Sequence, residues 1–179
     1  MSERSQTYEK AVKVKNNSSQ KAKKATALLL YAGFFAFFLL FAIDNVKLLV
    51  PIVALGVLLT FILVRWSWKY LNVEYEYSFW YGAVSVAKIY GNKKRRALID
   101  TDMKDLLMVA PANEEYAKKA EHFGIGKRID ATSGDPDQDV WLMVAGREDE
   151  DRTLVFFEAD QRALSLLREA NPYVFIKAK

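Results

Sequence analysis

The most prominent feature of the sequence is a pair of uninterrupted apolar runs near its amino terminus. Residues Ala25–Ile43 and Leu48–Val64 contain no charged side chain, and only residues 44–47 separate them. At 1.5 Å rise per residue, the first run gives a helix of about 30 Å, which matches the hydrocarbon thickness of a bilayer. The second run is at the short end of the spanning range, and tilt or local thinning accommodates it. The pattern predicts a tight hairpin of two transmembrane helices.

The composition of these runs disfavours the alternatives. Phe34–Phe41 is apolar on every side and has no polar face for water, so a pair of buried helices in a soluble protein is disfavoured. A second span directly after the first argues against a cleaved signal peptide. Asp44 or Asn45 can cap the second helix, and Pro51 falls near its start, where a missing N–H costs little. Close helix packing, within one hairpin or in a homo-oligomer, is expected at Ala32, Gly33, Ala36, Ala54 and Gly56.

From residue 71 onward the pattern predicts a mixed α+β domain. Apolar and polar side chains alternate from Val73 to Phe79, as in a half-buried strand. A helix is expected from the N-cap candidate Asp160 to about Ala170, and Glu114–Phe123 is expected to form a short helix or an irregular excursion. The face of the last helix is expected at Ala163, Leu164, Leu167 and Ala170. Further strands are predicted over Ala83–Tyr90, Arg96–Asp100, Met103–Val109, Asp130–Ser133, Val140–Ala145 and Thr153–Glu158.

Charge is distributed unevenly along the chain. Residues 1–24 carry seven basic and two acidic side chains, whereas residues 65–179 carry 18 basic and 19 acidic ones. The near-neutral balance of the domain argues against nucleic-acid binding, which needs an excess of basic side chains to contact phosphates. Tyr8–Lys24 is poor in apolar residues and is expected to be disordered, or partly helical next to the membrane. Its lysines either hold the tail to anionic lipids or serve only as a topology signal.

The residues that flank the two spans predict the orientation in the membrane. The connecting loop carries only Lys47, whereas several cations precede the first span and follow the second, so both termini are expected in the cytoplasm. Neither span has an ionisable residue at its centre, which argues against a proton relay or a charged transport path. The juxtamembrane basic residues are Lys21, Lys23, Lys24, Arg65 and Lys69. The expected interfacial anchors are Trp66, Trp68 and Tyr70.

The domain resembles a known family. Val73–Asp100, the late hairpin, and Glu158–Asp160 leading into residues 164–172 resemble the bacterial pleckstrin-homology-like (PH-like) domains. More narrowly, the chain is similar to a Gram-positive family in which a two-helix hairpin precedes such a domain. The resemblance implies an antiparallel β-roll or barrel with a C-terminal capping helix, and it carries no catalytic signature. The chain then divides into a basic cytoplasmic tail (1–24), the hairpin with its interfacial segment (25–70) and the PH-like domain (71–179).

A cluster of cations is the main candidate site. Lys93, Lys94, Arg95 and Arg96 fall at a predicted hairpin turn, and Lys88 is nearby. In pleckstrin-homology domains that bind phosphoinositides, a basic early hairpin grips the phosphates, so the resemblance implies candidate lipid-headgroup contact at these five residues. The alternative is a hairpin tip that only increases solubility.

Several chemistries are not supported by the sequence. The chain has no cysteine, which excludes disulfides, zinc–thiolate sites and cysteine nucleophiles, and His122 is its only histidine. The acidic loop 135–139 departs from a calcium loop because Val140 and Gly146 replace the required Gly and Glu. We assign no catalytic residue, cofactor or metal. The sequence predicts a non-enzymatic membrane-tethered module for a protein partner or lipid headgroups. The alternative is an oligomerising hairpin that forms a structural or transport-associated subunit.

Overall fold

The computed structural model describes residues 8–15, 18–80, 82–91, 94–146 and 151–176. These residues form two compact units. Residues 15–73 contain the helical hairpin, and the segments on both sides of it, up to residue 14 and from residue 74, form one domain.

The hairpin consists of helix α1 (Ser18–Asp44), a 3₁₀ turn (Val46–Leu48) and helix α2 (Leu49–Ser67), followed by a second 3₁₀ turn (Trp68–Leu71). Two segments, Gln20–Asp44 and Val46–Leu71, are long and apolar enough to cross a membrane. Most of their large apolar side chains are exposed, as expected for helices that face lipid rather than a protein core. The prediction of two apolar helices of spanning length is confirmed.

Small residues allow the two helices to approach closely. A Cβ atom on Gly56 would lie 2.7 Å from Phe38 Cβ, so α1 and α2 pack closely there. Tyr31 and Ser67 join the helices through a 2.7 Å hydroxyl–hydroxyl hydrogen bond. Asn45 does not cap α2 as expected: its amide donates to the Phe41 carbonyl at 3.0 Å and closes the end of α1 instead. Gly56 therefore serves packing within one hairpin.

The first sheet of the domain has strands in the order β1-β2-β3-β4. Gly82 and Gly91 lie between consecutive strands with φ of 79° and 54°, a conformation that favours glycine. The predicted strand over residues 83–90 is confirmed without change, and the strand predicted at Arg96–Asp100 is longer at both ends. The four strands are β1 (Tyr8–Lys13), β2 (Val73–Trp80), β3 (Ala83–Tyr90) and β4 (Lys94–Asp102).

Strand β1 corrects the expectation for the amino-terminal tail. Tyr8–Lys13 pairs antiparallel with β2 through six residue pairs, from Tyr8 opposite Phe79 to Lys13 opposite Glu74. Val12 is 7% exposed and belongs to the main core, whereas the neighbouring Ala11 is exposed. Tyr8–Lys13 is thus a strand of the sheet rather than part of a disordered tail, whereas residues 18–24 begin helix α1, in agreement with the partly helical alternative. In the chain, the helical hairpin is thus inserted between β1 and β2, which pair directly with each other in one sheet.

The second sheet has the order β5-β7-β8-β6, and β6 runs parallel to β8. Its strand β6 differs from the expected strand over residues 130–133. The Asp130 side chain accepts hydrogen bonds from the Thr132 backbone N–H (3.0 Å) and hydroxyl (2.8 Å), and this local turn ends the strand. The elements are β5 (Leu106–Pro111), α3 (Glu114–Glu121), β6 (Ile125–Asp130), β7 (Val140–Ala145), β8 (Arg152–Glu158) and α4 (Gln161–Ala170).

The closing helix α4 covers the core that the sheets provide. Asp160 caps it as predicted, because its side chain accepts from the N–H groups of Arg162 (3.1 Å) and Ala163 (2.9 Å). Ala163 and Leu167 are each 1% exposed, whereas Ala170, expected on the same face, is exposed. Their core neighbours include Tyr77, Phe79, Val84, Val86, Val155 and Phe157.

Candidate functional site

The basic cluster lies on the paired strands β3 and β4. Lys94, Arg95 and Arg96 open β4, and Lys93 lies outside the described residues. Lys88 stands directly opposite Arg96, and Tyr90 stands opposite Lys94. Because neighbouring side chains alternate between the faces of a strand, Lys88, Lys94 and Arg96 share one face and Arg95 lies on the other. We call the set of Lys88, Lys94 and Arg96 the basic face.

Arg95 is part of an ion-pair arrangement on the opposite face. Its Nη2 lies 3.1 Å from Glu76 Oε1, and the Glu76 side chain is only 17% exposed. On the adjoining strand, Lys13 Nζ lies 3.3 Å from Glu74 Oε1. The two glutamates on β2 therefore each pair with a cation from a neighbouring part of the sheet. Arg95 is therefore ion-paired with a carboxylate of the sheet itself.

Lys88 is held between two tyrosine rings. Its Nζ lies 5.8 Å from the ring centroid of Tyr75 and 5.2 Å from that of Tyr90, which are cation–π distances. Burial raises the pKa of Tyr75, and the nearby Asp130 and Tyr90 raise it further, so this ring stays neutral beside the ammonium. The tyrosines thereby fix the position of the Lys88 charge.

Lys94 and Arg96 remain available for a ligand. Both are exposed, and within the described ranges neither side chain has an ion-pair or hydrogen-bond partner. Lys88 and Arg96 are like charges directly opposite each other, a pairing that destabilises a sheet. An anion placed between them would relieve this repulsion. The chemistry of the basic face therefore suits an anionic group such as a phosphate.

A second polar cluster joins β1 to the end of the domain. The Tyr8 hydroxyl donates to Asp160 Oδ2, and the Arg162 guanidinium lies 5.4 Å from the Tyr8 ring centroid. Lys10 Nζ donates to the Glu158 carbonyl at 3.5 Å. We call these five residues the amino-terminal clasp.

Ionisation in the clasp follows its hydrogen bonds. Burial and the bond to Asp160 raise the pKa of Tyr8 to about 12. Burial opposes ionisation of Asp160, but hydrogen bonds from Tyr8 and from the Ala163 N–H outweigh it and lower the pKa of this carboxyl. At neutral pH the clasp therefore joins a neutral tyrosine to a carboxylate.

Beneath the clasp lies a buried hydrogen-bond network. The Tyr77 hydroxyl donates to the Ala131 carbonyl at 2.6 Å, and burial raises the pKa of this tyrosine. Glu158 Oε1 accepts from both the N–H and the hydroxyl of Ser133 at 2.5 Å. Glu158 and Ser133 are 3% and 4% exposed, so the network is closed to a substrate and serves to hold the segment after β6. Sequence patterns gave no signal for it, because its members are far apart in the chain.

One cavity of the domain lies next to the C-terminal helix. A cavity of about 230 Å³ lies beside α4 and is lined by Gly82, Met103, Leu166, Glu169 and Ala170. Its volume is below the range that is usual for small-molecule sites. In the part of the chain that the structure describes, no group of three or more His, Asp or Glu side chains could hold a metal ion.

The predicted interfacial residues lie at the ends of the hairpin helices. The Trp66 and Tyr70 rings pack edge to face at 5.9 Å, and Lys69 Nζ lies 5.0 Å from the Tyr70 centroid. Trp68 is half-buried in the 3₁₀ turn that Lys69 shares. Arg65 lies in the last turn of α2, and α1 begins with the segment that contains Lys21, Lys23 and Lys24. Contact of these side chains with headgroups stays a prediction.

Comparison with known proteins identifies the fold. The model of the family described as "Bacterial PH-like domain (DUF6106)" matches residues 6–177. No curated protein and no solved structure gives a significant match. The family match confirms the resemblance to bacterial PH-like domains and the expected α+β fold; the narrower resemblance to Gram-positive proteins stays a prediction. The match includes β1 and the inserted hairpin.

Proposed function

Because the chain belongs to the bacterial PH-like domain family, we propose that it is a non-enzymatic, membrane-anchored binding module. In this proposal the helical hairpin is the anchor, and the PH-like domain is presented at the cytoplasmic leaflet. The domain engages anionic groups through its basic face. The observation that best supports the proposal is that the hairpin is inserted in the chain between β1 and β2, two strands that pair with each other.

Connectivity supports a position of the domain at the membrane surface. β1 ends at Lys13, α1 begins at Ser18, and β2 begins directly after the 3₁₀ turn that follows α2. Both connections are therefore short: four residues between β1 and α1, and one residue between that 3₁₀ turn and β2. Strands that pair must lie on the same side of the membrane, and the flanking lysines favour the cytoplasm.

The basic face supports binding of an anionic partner. Lys94 and Arg96 are exposed, and Lys88 is fixed beside them by its two tyrosines. The phosphates of lipid headgroups and an acidic surface of a partner protein both offer the required charge. Since the hairpin already supplies membrane affinity, lipid binding is not needed for recruitment, and this favours a protein partner.

The test uses the full chain in nanodiscs of phosphatidylcholine, alone or mixed equally with phosphatidylglycerol. Backbone hydrogen exchange is followed in β3 and β4. If headgroups bind, exchange is slower in the anionic discs, and Lys94→Ala/Arg96→Ala abolishes the difference. Lys118→Ala/Lys119→Ala is the matched control, because it removes two exposed cations from α3.

The two variants also test for a protein partner. An acidic partner copurifies with the parent and with the Lys118→Ala/Lys119→Ala control but is lost from Lys94→Ala/Arg96→Ala. If neither headgroup protection nor copurification depends on Lys94 and Arg96, the proposed role of the basic face is wrong.

The absence of cysteine from the sequence provides a clean test of topology. A cysteine at Lys47, in the hairpin turn, should react with a membrane-impermeant maleimide in intact cells. A cysteine at the exposed Lys118 should react only after the membrane is opened. The reverse pattern would place the domain outside the cell and refute the cytoplasmic assignment.

A further inference from the structure

The beginning of β4 is an exposed strand edge. β4 is the last strand of the first sheet and pairs only with β3 among the described strands. Its residues 94–97 are all exposed, whereas the residues from Leu98 onward are mostly half-buried. In an antiparallel pair, every second residue directs its N–H and C=O groups away from the partner strand. Residues 94–97, which we call the open edge, therefore present backbone donors and acceptors on the side away from β3.

The open edge ends at Leu98. The Lys127 ammonium on β6 donates to the Leu98 carbonyl at 3.0 Å, which takes this acceptor from an incoming chain. The pairing of β3 with β4 also shifts register here, between Val86 and Ala87. A bulge disrupts the regular ladder and bends the strand. An added strand is therefore limited to the four residues of the open edge.

The side chains of the open edge favour an acidic strand. Lys94 and Arg96 lie on one face, beside Lys88, and neither side chain has a partner in the part of the chain that the structure describes. Cations on an edge strand usually hinder pairing with another chain. Opposite charges on neighbouring strands, in contrast, stabilise their pairing. The cations that exclude a basic strand therefore select a strand with carboxylates beside them.

The two faces of the open edge set the spacing of these carboxylates. Arg95 lies on the face opposite to Lys94 and Arg96, and Glu76 already pairs with it at 3.1 Å. Ala97 shares that face and carries no charge. Side chains of an added strand alternate between the same two faces. Carboxylates are therefore needed only at every second position, and uncharged residues suit the positions between them.

We propose that the open edge of β4 binds an extended segment of a partner protein in which Asp or Glu alternates with uncharged residues. The segment adds to the first sheet as a further strand, so that its backbone pairs with β4 while its carboxylates contact Lys94 and Arg96. The inference rests on the proposed function, because it specifies which acidic partner the basic face takes and how that partner is held.

Peptide binding to the full chain in nanodiscs of phosphatidylcholine tests this mode of binding. The probe is a short fluorescent peptide of alternating Thr and Glu, and its affinity is measured by anisotropy. A version that is N-methylated at every amide has the same charge but cannot donate to β4, so it should bind at least severalfold more weakly. Lys94→Ala/Arg96→Ala should weaken probe binding severalfold, and Lys118→Ala/Lys119→Ala is the control that should not.

Hydrogen exchange locates the bound probe. Strand addition should slow exchange within residues 94–97 and leave β1, at the other edge of the same sheet, unchanged. Equal affinities of the probe and its methylated version would overturn strand addition. If that equal binding still depends on Lys94 and Arg96, the contact is made by charge alone and the proposed function stands. A parent chain that binds neither peptide would also overturn strand addition, whereas headgroup protection and copurification judge the proposed function separately.

Discussion

The two terminal segments of the domain both complete a sheet edge, but by different means. β1 forms six residue pairs with β2, buries Val12 in the core and is fastened by the amino-terminal clasp. The C-terminal segment Val174–Ile176 forms two backbone hydrogen bonds with Val109, and its Phe175 ring stacks on Trp141 and lies 6.0 Å from the Arg168 guanidinium. Its three side chains are only partly buried against the two apolar clusters. Each hydrogen bond adds roughly 1 kcal/mol net, so backbone pairing alone stabilises the attachment of β1 much more than that of the C-terminal segment.

This difference fits what each segment connects. β1 leads into the helical hairpin, so its release would leave β2 as the only paired strand that connects the sheet to the helices. The C-terminal segment connects to no further element among the described residues, so its release leaves the rest of the sheet paired. The more extensive pairing is thus found in the segment that leads into the helices.

The largest expected effect comes from breaking β1 at its buried position. Val12→Asp places an unpaired carboxylate in the core and should lower the free energy of unfolding by roughly 3 kcal/mol or more. Denaturant unfolding of the detergent-solubilised chain, followed by tryptophan fluorescence, measures it. Ala11→Asn, which adds a polar side chain at the exposed neighbouring position without a like charge opposite Glu76, is the control and should change the stability little. Equal effects of the two substitutions would mean that β1 does not pack as described.

The clasp is the next most sensitive point. Asp160→Ala removes both the N-cap of α4 and the acceptor for Tyr8, so we expect a loss of about 2 kcal/mol. Asp160→Asn keeps a capping oxygen and should lose clearly less. Thermal unfolding of both variants provides the measurement. An alanine variant as stable as the parent would show that the clasp contributes nothing.

A smaller effect is expected at the other terminal segment. Phe175→Ala removes a half-buried ring from Trp141 and should cost about 1 kcal/mol. Its clearer signature is faster hydrogen exchange at the amides of Val109 and Ile176, with little change in β1. Tyr173→Ala, at a 98% exposed side chain, is the control and should leave both amides protected. Unchanged exchange in Phe175→Ala would contradict the weak fastening of this segment.

The smallest effect is a pH dependence of the clasp. The pKa of Tyr8 is raised from 10.0 to about 12, so its contribution is complete below pH 10 and is lost as the pH rises towards 12. The stability advantage of the parent over Tyr8→Phe should therefore shrink across that range. Unfolding curves at several alkaline pH values measure it, with Tyr173→Phe as the control. An advantage that stays constant up to pH 12 would argue against the Tyr8–Asp160 hydrogen bond.

Local patterns in the sequence predicted most elements of the fold. The two apolar runs, the alternation in Val73–Phe79 and the cap at Asp160 depend on near neighbours and are visible without a structure. β1 was not predicted, because its lysines mask a short apolar alternation and its partner strand lies beyond the hairpin. The strand was predicted over residues 130–133 instead of at β6, because the Gly-Lys-Arg interior of β6 hides the alternation of apolar and polar residues. Its parallel pairing with β8 is non-local and leaves no local signal.

The candidate site was predicted as a cluster of cations but not as a surface with two faces. Only the register of β3 and β4 shows that Arg95 faces Glu76 while Lys94 and Arg96 lie beside Lys88. Sequence adjacency groups these residues together, whereas alternation along a strand separates them. The tyrosines that fix Lys88 come from two different strands and could not be assigned in advance.

Insertion of the hairpin between β1 and β2 sets the order in which this protein can be made. β1 leaves the ribosome first, yet β2 emerges only after both helices, and Asp160 comes 152 residues after the Tyr8 it contacts. At roughly 5–20 residues per second, the first strand waits several seconds for its neighbours, and such distant contacts form slowly. Both helices are therefore synthesised before the domain can close. β1 precedes the rest of the domain in synthesis and is among the last strands to pair.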